Sequence, residues 1–223
     1  PIAGSLTFHV GAPSARIEAP DLASTDAGAT PAVQAIVHAV DYIALLLAGG
    51  LVLFCAWTTR GVRLDAAVRR RLVQVLRGAA VVAVAAAALA VPLAGAYQLG
   101  SGLSGVFDGA AWDPGLVRDE LIVLVLHAVG LGVATWRADR PDGGATGGLA
   151  VALALFSPAL VGHTRAYEPS ALLVVTDALH LAAGAAWFGG LVGLVLALAS
   201  LAGRPQDAAR LLARFSTVAA GLL

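Results

Sequence analysis

Apolar residues in this chain come in long blocks rather than in short alternating runs. Five blocks, at about 33–58, 72–98, 116–137, 147–163 and 170–202, are almost unbroken runs of Ala, Val, Leu, Ile and Gly. Each is near or above the roughly 17–25 residues that a helix needs to cross a bilayer. A sixth begins near Phe215. Hydrocarbon offers no partners to an open sheet edge, so the blocks predict helices. Pro92 and Pro158 fall inside predicted spans and mark expected kinks. Ahead of the blocks the pattern changes. Residues 5–10, SLTFHV, alternate as a short strand does. From Gly11 to Thr30 the chain is rich in Ala, Pro, Ser, Thr, Gly and Asp, a linker composition. The expected fold is an all-α integral membrane protein: a polytopic helical bundle of five full spans plus the start of a sixth. A β remnant at 1–11 and a linker at 12–30 precede a transmembrane part at 31–223.

Composition agrees with a membrane class. Hydrophobic residues make up 59% of the chain and charged residues only 13%, against about a quarter charged in soluble domains. The 14 basic and 14 acidic residues cancel, which gives no hint of a nucleic-acid partner. One Cys excludes an internal disulfide. The chain has no Met and ends inside an apolar run, so the expectation is a piece of a longer polypeptide.

All the basic residues are Arg, and their distribution predicts an orientation. Arg60, Arg63, Arg69, Arg70 and Arg71 follow the first span, Arg137 and Arg140 the third, and Arg204, Arg210 and Arg214 the fifth. The segment 100–115 holds Asp108 and Asp113 and no basic residue. Basic loops stay in the cytoplasm, so the N-terminus and 100–115 are expected outside. Trp57, Trp112 and Trp136 fall near the predicted interfaces, as aromatic belts do.

Ionisable residues inside the spans then gather in the outer half or the middle. His38 and Asp41 lie in the first span, Glu120 and His127 in the third, His163 at the outer end of the fourth, and Asp177 and His180 in the fifth. Asp177 and His180 are three apart and share a helix face, which Trp187 continues; His38 and Asp41 repeat that spacing. Such groups are costly in lipid and normally turn inward to find partners. Imidazole with carboxylate suits Cu(II), Zn(II) or Ni(II), whereas Cu(I) prefers Cys and Met. Each candidate also has a plainer reading. Asp177 with His180 is otherwise a packing pair, His38 with Asp41 a solvated helix end, His127 a hydrogen-bonded core residue and His163 a loop residue. Cys55 reads as packing, and Gly49, Gly50, Gly189 and Gly193 as sites of close helix approach.

Two stretches resemble a known family. Gly162-His163 at the end of one span, then Asp177-x-x-His180 and Trp187-x-Gly189-Gly190 in the next, resembles the copper resistance protein D (CopD) family of bacterial inner-membrane copper transporters. At the N-terminus, Gly4, Ser5, Phe8, Val10 and Gly11 resemble the last strand of the external copper-binding CopC domain. The resemblance implies a CopC–CopD fusion that takes up copper, as Cu(II) or Cu(I), across the cytoplasmic membrane, a transporter rather than an enzyme. It implies passage from the external domain to His163, then to Asp177 and His180, with His127 and Glu120 joining if the third span packs against the fifth. His38 and Asp41 match no position of that pattern and stand as candidates on their own. The family's members have more spans than this chain contains. No G-x-x-x-x-G-K-[ST] motif is present, so ATP is not the expected driver. The competing expectation is a b-type cytochrome, with His127 and His180 as haem ligands in an electron-transfer or metalloreductase protein.

Overall fold

The computed structural model describes residues 28–138, 140, 143–161 and 169–221, and the regular elements among them are all helical. α1 spans Thr30–Leu53, α2 Ala66–Gln98, α3 Pro114–Arg137, α4 Gly143–Val161, α5 Ser170–Leu198 and α6 Pro205–Ala220. The expected strand at 1–11, nearly all of the linker, and His163 lie outside the described residues. Three helical stretches, Thr30–Thr58, Ala66–Gln98 and Ser170–Leu198, are long and apolar enough to cross a membrane, and Ala145–Val161 is a shorter apolar helix. α2 and α4 run through Pro92 and Pro158 without a break.

Local chemistry sets the helix ends. Asp113 precedes Pro114, and its Oδ1 accepts the Gly115 N–H at 2.7 Å. An acidic cap followed by proline in the first turn satisfies a free amide and fixes the entry angle of α3. α1 ends in one π-helical turn, Phe54–Thr58, in which the Thr59 N–H donates to the Phe54 carbonyl at 3.2 Å. The wider turn carries the chain on to the loop that leads into α2.

Helices α1 to α4 form a bundle in which α1 packs on α2 and α4, and α3 packs on the same two. α1 and α3 therefore occupy diagonal corners. α5 lies on the flank against α1 and α4, and α6 folds back along α5. The core is aliphatic, with Leu45, Leu51, Leu72, Leu131 and Val151 almost wholly buried around Phe54.

α1 and α5 approach through glycine, as the sequence led one to expect. A Cβ built on Gly189 would lie 2.6 Å from the Leu47 carbonyl and 2.7 Å from the Gly50 Cα. Four residues on, the bare face of Gly193 receives the Phe54 ring, and the face of Gly190 receives Phe215. Small residues let transmembrane backbones approach where apolar burial gives no preference between helix and lipid.

The two ends of the bundle differ in chemistry. At one end Arg204 donates to the Arg63 carbonyl at 2.7 Å and to Asp65 Oδ1 at 2.9 Å, tying the α5–α6 turn to the α1–α2 loop. Arg140 stacks 4.0 Å from the Trp136 ring near the end of α3. At the other end the Thr30 hydroxyl donates to the Ser101 carbonyl at 3.2 Å, and Gln98 Nε2 to the Leu116 carbonyl at 2.6 Å. The arginine-rich loops thus share one end, and the start of α1 shares the other with the acidic segment after α2.

Candidate functional site

The buried ionisable groups meet near the middle of the bundle. Asp41 lies eleven residues into α1, about 16 Å along the axis. His127 lies thirteen residues into α3, about 20 Å along. The two come together across the bundle's diagonal: Asp41 is 5% exposed and His127 0%. Asp41 Oδ1 and His127 Nδ1 are 3.8 Å apart, too far for a direct hydrogen bond.

Three of their polar atoms, Asp41 Oδ1 and both ring nitrogens of His127, are buried without a hydrogen bond. Thr30 and Ser157, equally buried, behave differently, since both hydroxyls donate to backbone carbonyls. Leaving a buried polar atom bare costs about 1–3 kcal/mol. Three such atoms lie bare on two facing side chains.

The pair extends outward and sideways. His38 is one turn from Asp41 on the same face of α1, and Glu120 is two turns from His127 on the same face of α3. His38 and Glu120 are both half-buried, and His38 lies close enough to act on Glu120 electrostatically. Tyr42, beside Asp41, feels the charges of both Asp41 and Asp177. Tyr42 belongs to no motif; only its position next to an intramembrane carboxylate signalled it. Tyr42 on α1 thus lies within electrostatic reach of Asp177 on α5 and of Asp41, and Asp41 faces His127 on α3; these four positions make up a polar lane.

The residues singled out along α5 are placed less tightly. Asp177 is half-buried and His180 is exposed, on the flank of α5 that carries Thr176 and Trp187. Trp187 meets Phe215 edge-on, with centroids 6.5 Å apart. The condition set for His127 and Glu120, packing of the third span against the fifth, is not how the helices are arranged: α3 has α2 and α4 as its helix neighbours, and His127 reaches α1. The two histidines considered for haem differ accordingly, His127 being sealed inside the bundle while His180 opens outward. Cys55 is exposed in the π-helical turn, at the arginine end and far from the lane.

The arrangement offers pairs of ligands rather than a cage. Among the described residues, no group of three or more His, Cys, Asp or Glu side chains could hold a metal ion. What it provides is a set of nitrogen and oxygen donors, with Asp41 and His127 contributed by two helices and Asp177 and His180 by one. Known protein families, curated proteins and solved structures return no match to the chain.

Proposed function

We propose that this chain is the membrane part of a copper-uptake protein of the bacterial cytoplasmic membrane, a transporter and not an enzyme, with copper as its cargo. In this reading five helices span the bilayer and α6 begins a sixth. The N-terminus is outside and continues a CopC-like copper-binding domain. Copper passes from that domain to His163 at the mouth, then to Asp177 and His180. The reading rests on the resemblance of the Gly162-His163 and Asp177-x-x-His180 pattern and on one observation: ionisable groups of α1, α3 and α5 lie within electrostatic reach of one another from the middle of an otherwise apolar bundle to its acidic end. Carboxylate and imidazole at that depth are expensive unless they serve a passage.

Orientation is tested by labelling. In a Cys55→Ser background, a cysteine placed at Ser104 should react with an impermeant thiol reagent added to intact cells, and one at Ala67 should not. Both positions are exposed. Reaction at Ala67 with silence at Ser104 would reverse the topology and place the acidic end of the bundle in the cytoplasm.

Transport is tested by copper accumulation. Cells expressing the full-length protein should accumulate copper several-fold above vector controls, and His180→Ala should return them to the control level with the protein still inserted in the membrane. Removing a polar group from a span does not hinder insertion. Wild-type accumulation in a well-expressed His180→Ala strain would defeat the α5 passage.

A further inference from the structure

We propose that Asp41 and His127 together form a metal-ion site for Cu(II), set across the diagonal between α1 and α3, separate from the α5 residues and reached past His38 and Glu120. The choice of copper rests on the transport reading above; the site itself rests on geometry.

The geometry has three parts. First, the two side chains are sealed from solvent, and their facing atoms, Asp41 Oδ1 and His127 Nδ1, lack any hydrogen bond. Second, the gap between those atoms is 3.8 Å. Two metal–ligand bonds of about 2.0–2.1 Å span up to roughly 4.1 Å, so one ion reaches both atoms with little movement of either helix. Nε2 then carries the ring hydrogen and calls for one ordered water. Third, the two residues stand on diagonal helices that share the neighbours α2 and α4. A ligand between them bridges the middle of the bundle instead of sitting in a surface cleft.

Donor chemistry selects the ion. A carboxylate oxygen and an imidazole nitrogen suit Cu(II) or Zn(II). Cu(I) prefers thiolate and thioether, but the chain has no Met, and Cys55 lies fourteen residues along from Asp41, about 21 Å away. The ion at this point is therefore the divalent form, with water in its remaining positions. Two protein donors make a weak site, as a passage requires: binding must be favourable enough to admit the ion and loose enough to release it. His38 and Glu120, on the same faces toward the outer end, form the approach. Beyond the pair, toward the arginine end, the interior is closed by Leu45, Leu131 and their apolar neighbours. The pair is thus the innermost polar station of the lane.

The experiment is Cu(II) titration of the purified full-length protein, followed by electron paramagnetic resonance. Wild-type protein should hold one equivalent more than His127→Gln, with nitrogen coupling on that equivalent, and Asp41→Asn should weaken it at least tenfold. His180→Gln should leave it in place. Unchanged stoichiometry and affinity in both His127→Gln and Asp41→Asn would overturn the site and leave a water-bridged structural pair. If His127→Gln does not fold, His127→Cys loaded with Co(II) supplies the test. In a Cys55→Ser background it should gain a thiolate-to-cobalt charge-transfer band, and cobalt binding without that band counts against the site. Cu(II) held at this pair without copper accumulation in cells would sink the transport reading alone. Accumulation in cells together with binding indifferent to both substitutions would sink the site alone.

Discussion

A leucine at position 189 should prevent the chain from reaching a stable fold. The Cβ of any side chain there would lie 2.6 Å from the Leu47 carbonyl, 2.7 Å from the Gly50 Cα and 2.9 Å from the Leu46 carbonyl. All three are backbone atoms, so no rotamer change relieves the clash, and α1 and α5 must separate. Overpacking usually costs about 1–3 kcal/mol, and more when nothing can yield; here a loss of at least ~3 kcal/mol is expected. Separation would also pull Phe54 from Gly193, a contact that depends on the same approach. Gly132 is the internal control, because a Cβ there meets nothing within 4 Å. Gly132→Leu should stay within about 0.5 kcal/mol of wild type, as exposed substitutions generally do. Detergent gel filtration and thermal unfolding report both outcomes. A monodisperse Gly189→Leu protein with the wild-type melting temperature would refute the crossing.

Replacing both members of the buried pair should separate stability from function. Asp41→Leu alone leaves both nitrogens of His127 buried and bare, and His127→Leu alone leaves the carboxylate so. Those atoms are already bare in the wild type, so each single variant is expected to stay within about 1 kcal/mol of it. Asp41→Leu with His127→Leu removes every unpartnered atom and fills the space with aliphatic carbon, an exchange that is often neutral or stabilising for buried polar pairs. The double variant should therefore be at least as stable as wild type and as either single variant. Copper accumulation should nevertheless fall at least tenfold, because the innermost donors of the lane are gone. Thermal unfolding of the four proteins and copper content of the expressing cells supply the measurements. A stable double variant with wild-type copper accumulation would show that the pair lies off the passage.

Helix positions were legible from apolar blocks alone. The blocks at 33–58 and 72–98 and the one opening at 170 correspond to the three helical stretches long and apolar enough to cross a membrane. The Asp113-Pro114 cap starts α3 two residues ahead of the apolar block at 116–137. Gly189, Gly193, Gly49 and Gly50 announced close approach, because small residues four apart on one face have few other uses in a span. Arginine content singled out loops that the fold does gather at one end, through Arg204, Arg63 and Asp65.

Partnership was not legible. His38, Asp41, Glu120 and His127 could each be named from the sequence, and spacing showed that His38 shares a face with Asp41 and Glu120 with His127. That Asp41 meets His127 across a diagonal, with α3 against α2 and α4 rather than α5, came only from the tertiary structure. The physical reason lies in the helices themselves. Outside the polar positions, α1, α4 and α5 are apolar on nearly every face, so periodicity does not say which face meets which neighbour. In lipid, burial of one apolar face rather than another gains little, and the choice falls to shape. The fit of Gly50 against Gly189, and of Phe54 against Gly193, fixes how α1 and α5 are seated. Sequence by itself determined where helices form and which side chains are costly in a membrane; only the packed structure, through contacts between residues far apart in the chain, decided which of those side chains face each other.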